Sequence, residues 1–97
     1  IKTMCERIKA AKQAVIDPNF HIMARSDALA IEGLEKTCVR LKEYINSGAS
    51  LVFPEAVSRL EDYQFLTENL SVPVLANITE FGKTPLFNIE QLQQVGV

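Results

Sequence analysis

VPVLANITEFGKTP occupies residues 72–85. It opens as a short apolar run, Val72 to Ala76, then meets Asn77 and Thr79-Glu80 and passes into Phe81-Gly82-Lys83-Thr84-Pro85. An apolar run that short, holding Val, Leu and an early Pro, reads as a buried strand. The polar groups stand just past its C-terminal end, where parallel α/β sheets and barrels place their ligand chemistry.

The pattern occurs twice upstream. Phe20 to Ala24 is a compact apolar run that ends on Arg25-Ser26-Asp27. Ser50 to Phe53 is a second, stopped by Pro54-Glu55-Ala56. These give strands over 20–25, 50–54 and 72–77. Between them lie segments of helical period. Residues 31–47 carry Ile31, Leu34, Cys38, Leu41 and Ile45 on one stripe, with Asp27 or a neighbour as a cap and Gly48 suited to the turn after the end. Residues 57–69 carry Val57, Leu60, Tyr63 and Phe65 or Leu66. Upstream, residues 1–16 set Ile1, Met4, Cys5, Ile8, Ala11 and Val15 on one face, and Asp17-Pro18-Asn19 closes that helix. Downstream, Asn88-x-x-Gln91 has the form of a capping box, so a short helix is expected over 89–95.

Strand alternating with helix at this spacing means βαβ units and a parallel sheet. The strands are apolar throughout, so the expectation is that both their faces are covered. Three strands make a small sheet with exposed edges. The fold class is therefore α/β, part of a (β/α)8 barrel of about 250 residues. A self-contained but thin α/β module is the alternative. Ile1 rather than Met heads the sequence, which fits a segment of a longer chain.

Composition narrows the function. The 97 residues are 47% hydrophobic and 23% charged, with a net charge of -2 and a pI of about 5.3. That is a globular balance, and no basic block favours nucleic acid or an anionic membrane surface. No apolar run approaches the roughly 20 residues that span a bilayer, and no secretory signal is visible. Cys5 and Cys38 form no CxxC and no cluster with His21, the lone histidine. They read as reduced thiols packed on helix faces of a cytoplasmic protein rather than as a zinc site or a disulfide. His21 reads as a core or interface histidine.

Each strand ends in a polar residue: Arg25, Glu55 and Asn77. In a barrel these tips share one rim. Arg offers a planar fork to a carboxylate or phosphate. Glu can orient that Arg, accept a proton or join the outer shell of a metal. Asn can donate its amide to an oxyanion. The set suits a substrate rich in carboxylates. A plainer reading makes Arg25 and Glu55 a structural ion pair, Asn77 a turn residue, and Ser26 and Asp27 loop or cap residues. The aromatic residues lack basic interleaving and read as packing. Gly82-Lys83-Thr84 lacks the upstream glycine of a phosphate loop.

FHIMARSDA (20–28), LVFPEA (51–56) and LANITEFGKTP (75–85) resemble the arginine-, glutamate- and asparagine-bearing strand ends of the isocitrate lyase and phosphoenolpyruvate mutase superfamily. They come in the same order and cover nearly the whole chain. The Thr-Glu-Phe-Gly form of the last loop is most similar to that of the 2-methylisocitrate lyases. The resemblance implies a homotetrameric (β/α)8-barrel enzyme that depends on Mg2+ and cleaves a C–C bond of 2-methylisocitrate to give pyruvate and succinate. It implies that Arg25 contacts the substrate, that Glu55 holds the Arg and the metal-water network, and that Asn77, with Thr79 beside it, binds a succinyl carboxylate. The Lys-Lys-Cys-Gly-His type motif with the family's acid cysteine is absent, as are the metal-binding aspartates before it. The expectation is a segment of about three βα units, inactive alone, whose Mg2+ ligands lie outside this chain. Another superfamily activity, or a non-enzymatic module binding an anion or a protein, remains open at this point.

Overall fold

The structure is a computed structural model that describes residues 1–97. Two short parallel strands lie at its centre. β1 (Met23–Ser26) and β2 (Leu51–Pro54) pair with Met23 opposite Leu51, Arg25 opposite Phe53 and Ser26 opposite Pro54. On the other edge of β2, residues 73–75 add a single parallel rung. Val52 N–H donates to Pro73 O at 3.1 Å and Leu75 N–H to Val52 O at 2.9 Å.

The sequence pattern predicts a full strand over 72–77, yet only that rung forms. Prolines account for the shortfall. Alternate residues of a parallel strand face the same neighbour, so the rungs flanking Val52 fall at Ser50 and Pro54. One of them needs the N–H of Pro54 and the other the N–H of Pro73, and proline has none. The first strand also differs from 20–25. It starts at Met23, and Phe20 is 64% exposed.

The helices follow their apolar stripes, with departures in their bounds. α1 (Lys2–Ala14) buries Cys5 and Ile8 and gives way to an extended Val15. The single helix expected over 31–47 is two helices, α2 (Leu29–Glu32) and α3 (Leu34–Asn46). Gly33 separates them at φ 84 and ψ 171, a conformation that leaves the helical path. Ile31, expected to head the stripe, is consequently 91% exposed, while Thr37 and Tyr44 join Cys38 and Leu41 on the buried face. Glu32 ties α2 back to α3, accepting from Arg40 Nε at 2.7 Å and Nη2 at 2.8 Å. α4 (Leu60–Asn69) begins three residues later than 57 because Ala56 turns at φ 60 and Arg59 is extended. α5 (Ile89–Gln94) opens on a reciprocal pair: Gln91 N–H donates to Asn88 Oδ1 at 2.8 Å and Asn88 N–H to Gln91 Oε1 at 3.0 Å.

All of this packing falls on one side of the sheet. Ala24, Ser26, Val52, Pro54 and Val74 are buried against Leu41, Val57, Tyr63 and Leu66. Truncating Leu41 to Ala would cost about 2–5 kcal/mol. Within residues 1–97 the helices cover one face of the sheet only. β1 alternates exposed and buried, β2 half-buried and buried, so Met23, Arg25, Leu51 and Phe53 look out from the open face. Cys5 and Cys38 are free and buried, and burial pushes the Cys38 thiol above its ordinary value. His21 is exposed rather than a core residue. Its Nδ1 lies 3.3 Å from Ser50 Oγ, at the N-terminal side of both strands. No helix is long and apolar enough to cross a membrane.

Candidate functional site

The C-terminal tips of the strands converge on one polar cluster. Arg25 alternates with the buried Ala24 and Ser26, so its side chain leaves the open face of the sheet. Its register partner Phe53 lies beside it, with the guanidinium carbon 4.9 Å from the ring centroid. Asp27 stands two residues on and accepts from Arg25 Nη2 at 2.8 Å and from Nε at 3.1 and 3.3 Å. That hydrogen bond raises the Arg25 pKa further above its ordinary value, so the guanidinium is always charged.

Glu55 extends the ladder by one bond, its N–H donating to Ser26 O at 3.0 Å. Its Oε2 lies 3.4 Å from Arg25 Nη2 and accepts from Asn77 Nδ2 at 3.4 Å. Tyr63 is buried, and burial first and the Glu55 charge second push its phenol up. Thr79 completes the chain by donating its hydroxyl to Asn77 Oδ1 at 2.7 Å. The loop then turns tightly, Gly82 N–H donating to Thr79 O at 2.9 Å, with Phe81 at φ 63. A Cβ on Gly82 would come 2.9 Å from Thr79 O, so this turn needs glycine.

Arg25, Glu55, Asn77 and Thr79 thus form one connected network, though they come from three separate tips. Two members were not legible as site residues. Asp27 caps no helix: α2 has Ala28 at its N-cap and no side-chain cap bond. It grips Arg25 instead, and more closely than Glu55 does. The signal for it was the Arg-x-Asp spacing, since residues two apart on a strand share a side. Phe53 bears the same relation to Glu55. Ser26 does behave as a turn residue, its Oγ accepting from Ala28 N–H at 3.2 Å.

Two groups keep their valences open. Arg25 Nη1 meets no protein acceptor and Glu55 Oε1 no donor. One guanidinium against the carboxylates of Asp27 and Glu55 leaves the cluster with a net charge of -1. No three His, Cys, Asp or Glu side chains come together as a metal site. A Mg2+ ion held by these residues alone does not fit: Asp27 is committed to Arg25, which leaves Glu55 as a single carboxylate.

The chain is 53% identical over 93 residues to a 2-methylisocitrate lyase of Shewanella oneidensis, covering 96% of this chain and 32% of that protein. It is 51% identical over 94 residues to a 2-methylisocitrate lyase of Salmonella typhimurium, covering 97% and 32%. The chain therefore spans about a third of the length of the curated relatives it matches. Among solved structures, 2,3-dimethylmalate lyase, a PEP mutase/isocitrate lyase superfamily member, superimposes with a TM-score of 0.89 at 31% identity, covering 98% of this chain and 34% of that one. The fold is that of part of a (β/α)8 barrel, its parallel tips gathered on one rim. The family model for phosphoenolpyruvate phosphomutase matches residues 1–97, end to end. By that match the chain belongs to the phosphoenolpyruvate phosphomutase family.

Proposed function

We propose that the full-length protein is a carbon–carbon lyase that splits 2-methylisocitrate into pyruvate and succinate, as one step of propionate breakdown through the methylcitrate cycle. The observation that carries this reading is the 53% identity, over 96% of the chain, to a protein named 2-methylisocitrate lyase. In the cleavage the substrate hydroxyl loses its proton and its C–O bond becomes the pyruvate carbonyl. The electron pair of the broken C–C bond passes to the succinate carbon, which then takes up a proton. The chain's own residues serve this by binding and orientation. Arg25 presents Nη1 to a carboxylate, and Asn77, its amide oriented by the Thr79 hydroxyl, offers its second Nδ2 hydrogen to the succinyl carboxylate from the third tip. Glu55, between Arg25 and Asn77, keeps Oε1 for a proton or a water. The cluster's net charge of -1 does not by itself attract a tricarboxylate, so further positive charge has to come from elsewhere in the barrel. The required Mg2+ takes its ligands outside residues 1–97. The enzyme works in the cytoplasm as a homotetramer.

Turnover of 2-methylisocitrate, isocitrate, 2,3-dimethylmalate and oxaloacetate by the full-length protein tests the reading, each followed by its own product: pyruvate from the first and third, glyoxylate from isocitrate, and pyruvate or oxalate from oxaloacetate. The highest kcat/KM is expected for 2-methylisocitrate, and a higher value for another acid would overturn the assignment. The superposition on 2,3-dimethylmalate lyase makes a substituted malate the second reading, which the same panel decides. Residues 1–97 alone are expected to show no turnover with Mg2+ present, because they contain neither an acid cysteine at the rim nor a metal site.

A further inference from the structure

The guanidinium of Arg25 has five N–H bonds in a rigid plane. Its Nε and Nη2 edge is taken up by Asp27 at 2.8 to 3.3 Å. Glu55 Oε2 lies 3.4 Å from Nη2 as an ion-pair neighbour rather than a hydrogen-bond partner, and both Nη1 hydrogens are free. Phe53 supports one face of the plane. Two contacts on one edge and a ring below fix the direction in which the open edge points.

We infer that Asp27 is the positioning residue of this site: it holds the Arg25 fork with Nη1 towards the incoming carboxylate and so frees Glu55 from that task. The inference rests on the lyase reading only for the identity of the carboxylate. It assigns different work to the two acidic side chains. Asp27 acts through Arg25 and does not touch substrate. Glu55, bound only through Oε2 and at 3.4 Å on both sides, stays able to exchange partners during turnover.

Charge and geometry give opposite forecasts, which makes the inference testable. Asp27→Asn removes a negative charge from a site for an anion, so simple electrostatics would tighten binding. Loss of the grip on Arg25 would weaken it. Asp27 is 66% exposed at its side chain, so the electrostatic gain is small and the geometric loss prevails. In the full-length protein, Asp27→Asn is expected to raise KM for 2-methylisocitrate about tenfold, the scale of a charged hydrogen bond. kcat should change much less, and Asp27→Glu should recover part of the loss. An unchanged or lower KM in Asp27→Asn overturns the inference.

A second measurement does not depend on the substrate. In arginine-labelled full-length protein, the Arg25 Nε–Hε resonance should be protected from solvent exchange. It should collapse in Asp27→Asn, survive in Glu55→Gln and shift in Asp27→Glu. Survival in Asp27→Asn, or equal loss in Glu55→Gln, overturns the inference. If the wild type fails to cleave 2-methylisocitrate, the lyase reading alone falls, and the Arg25 resonance still decides the role of Asp27.

Discussion

Asn77 and Glu55 stand 22 residues apart in sequence and meet at the rim, Asn77 Nδ2 donating to Glu55 Oε2 at 3.4 Å. The Thr79 hydroxyl, at 2.7 Å from Oδ1, fixes which end of the amide faces Glu55. Asn77→Asp would set two carboxylates against each other. The full-length variant is expected to lose most of its kcat/KM at neutral pH and to recover part of it under mild acid, as one carboxyl of the pair takes up a proton. A pH–rate profile with no acid recovery would refute the placement of these two groups.

Arg25→Lys keeps the charge and removes the fork. The ammonium cannot make the two-nitrogen contact with Asp27 or lie flat on Phe53 at 4.9 Å. KM for the substrate should rise by about tenfold or more, with the melting temperature of the full-length protein almost unchanged because the side chain is half exposed. Equal kinetics in the two proteins would show that charge alone suffices.

The Glu32–Arg40 pair belongs to stability rather than to the site. The hydrogen bond from Arg40 holds the Glu32 carboxyl below its ordinary value of 4.5, against the opposing effect of burial. A carboxylate lowered on folding stabilises above its unfolded value and loses that contribution as pH falls through its folded one. Stability of the full-length protein should therefore decline below about pH 4.5, and Glu32→Gln should flatten that acid limb while lowering stability at pH 7. Chemical denaturation across the pH series checks both, and parallel acid limbs would contradict it.

Gly48 follows α3 at φ 118, and a Cβ there would stand 2.8 Å from Lys12 Cγ and 2.9 Å from its Cβ. Gly48→Ala therefore combines a backbone strain of about 1–3 kcal/mol with a displacement of α1 at Lys12. Thermal unfolding of the full-length variant should show a lower midpoint with unchanged KM, since Gly48 lies before β2 and away from the rim. A stability equal to wild type would show that α1 yields freely there.

The α/β order and the three rim positions could be read from the sequence because each apolar run stops abruptly on Arg25, Glu55 or Asn77, and period and punctuation are local signals. What escaped depended on register or on competition between neighbours. Asp27 is as good a helix cap as an arginine partner until the direction of Arg25 is known. The shortening of the third strand follows from Pro54 and Pro73 falling on the rungs either side of Val52, and that needs the pairing itself. Gly33 is the local exception: a glycine within the apparent stripe of 31–47 marks a break, and Ile31 lies outside the core with it.

The single rung at Val52 and Val74 also bears on ligand binding. Because side chains alternate along a strand, a slip of one residue at this seam would turn Asn77 towards the helices and away from Glu55. Two backbone hydrogen bonds hold the alignment, at 3.1 and 2.9 Å. Occupancy of the rim and alignment of residues 73–75 are thus thermodynamically linked. A molecule bridging Arg25 and Asn77 acts as a splint, setting the sheet at the place where its own backbone holds it least.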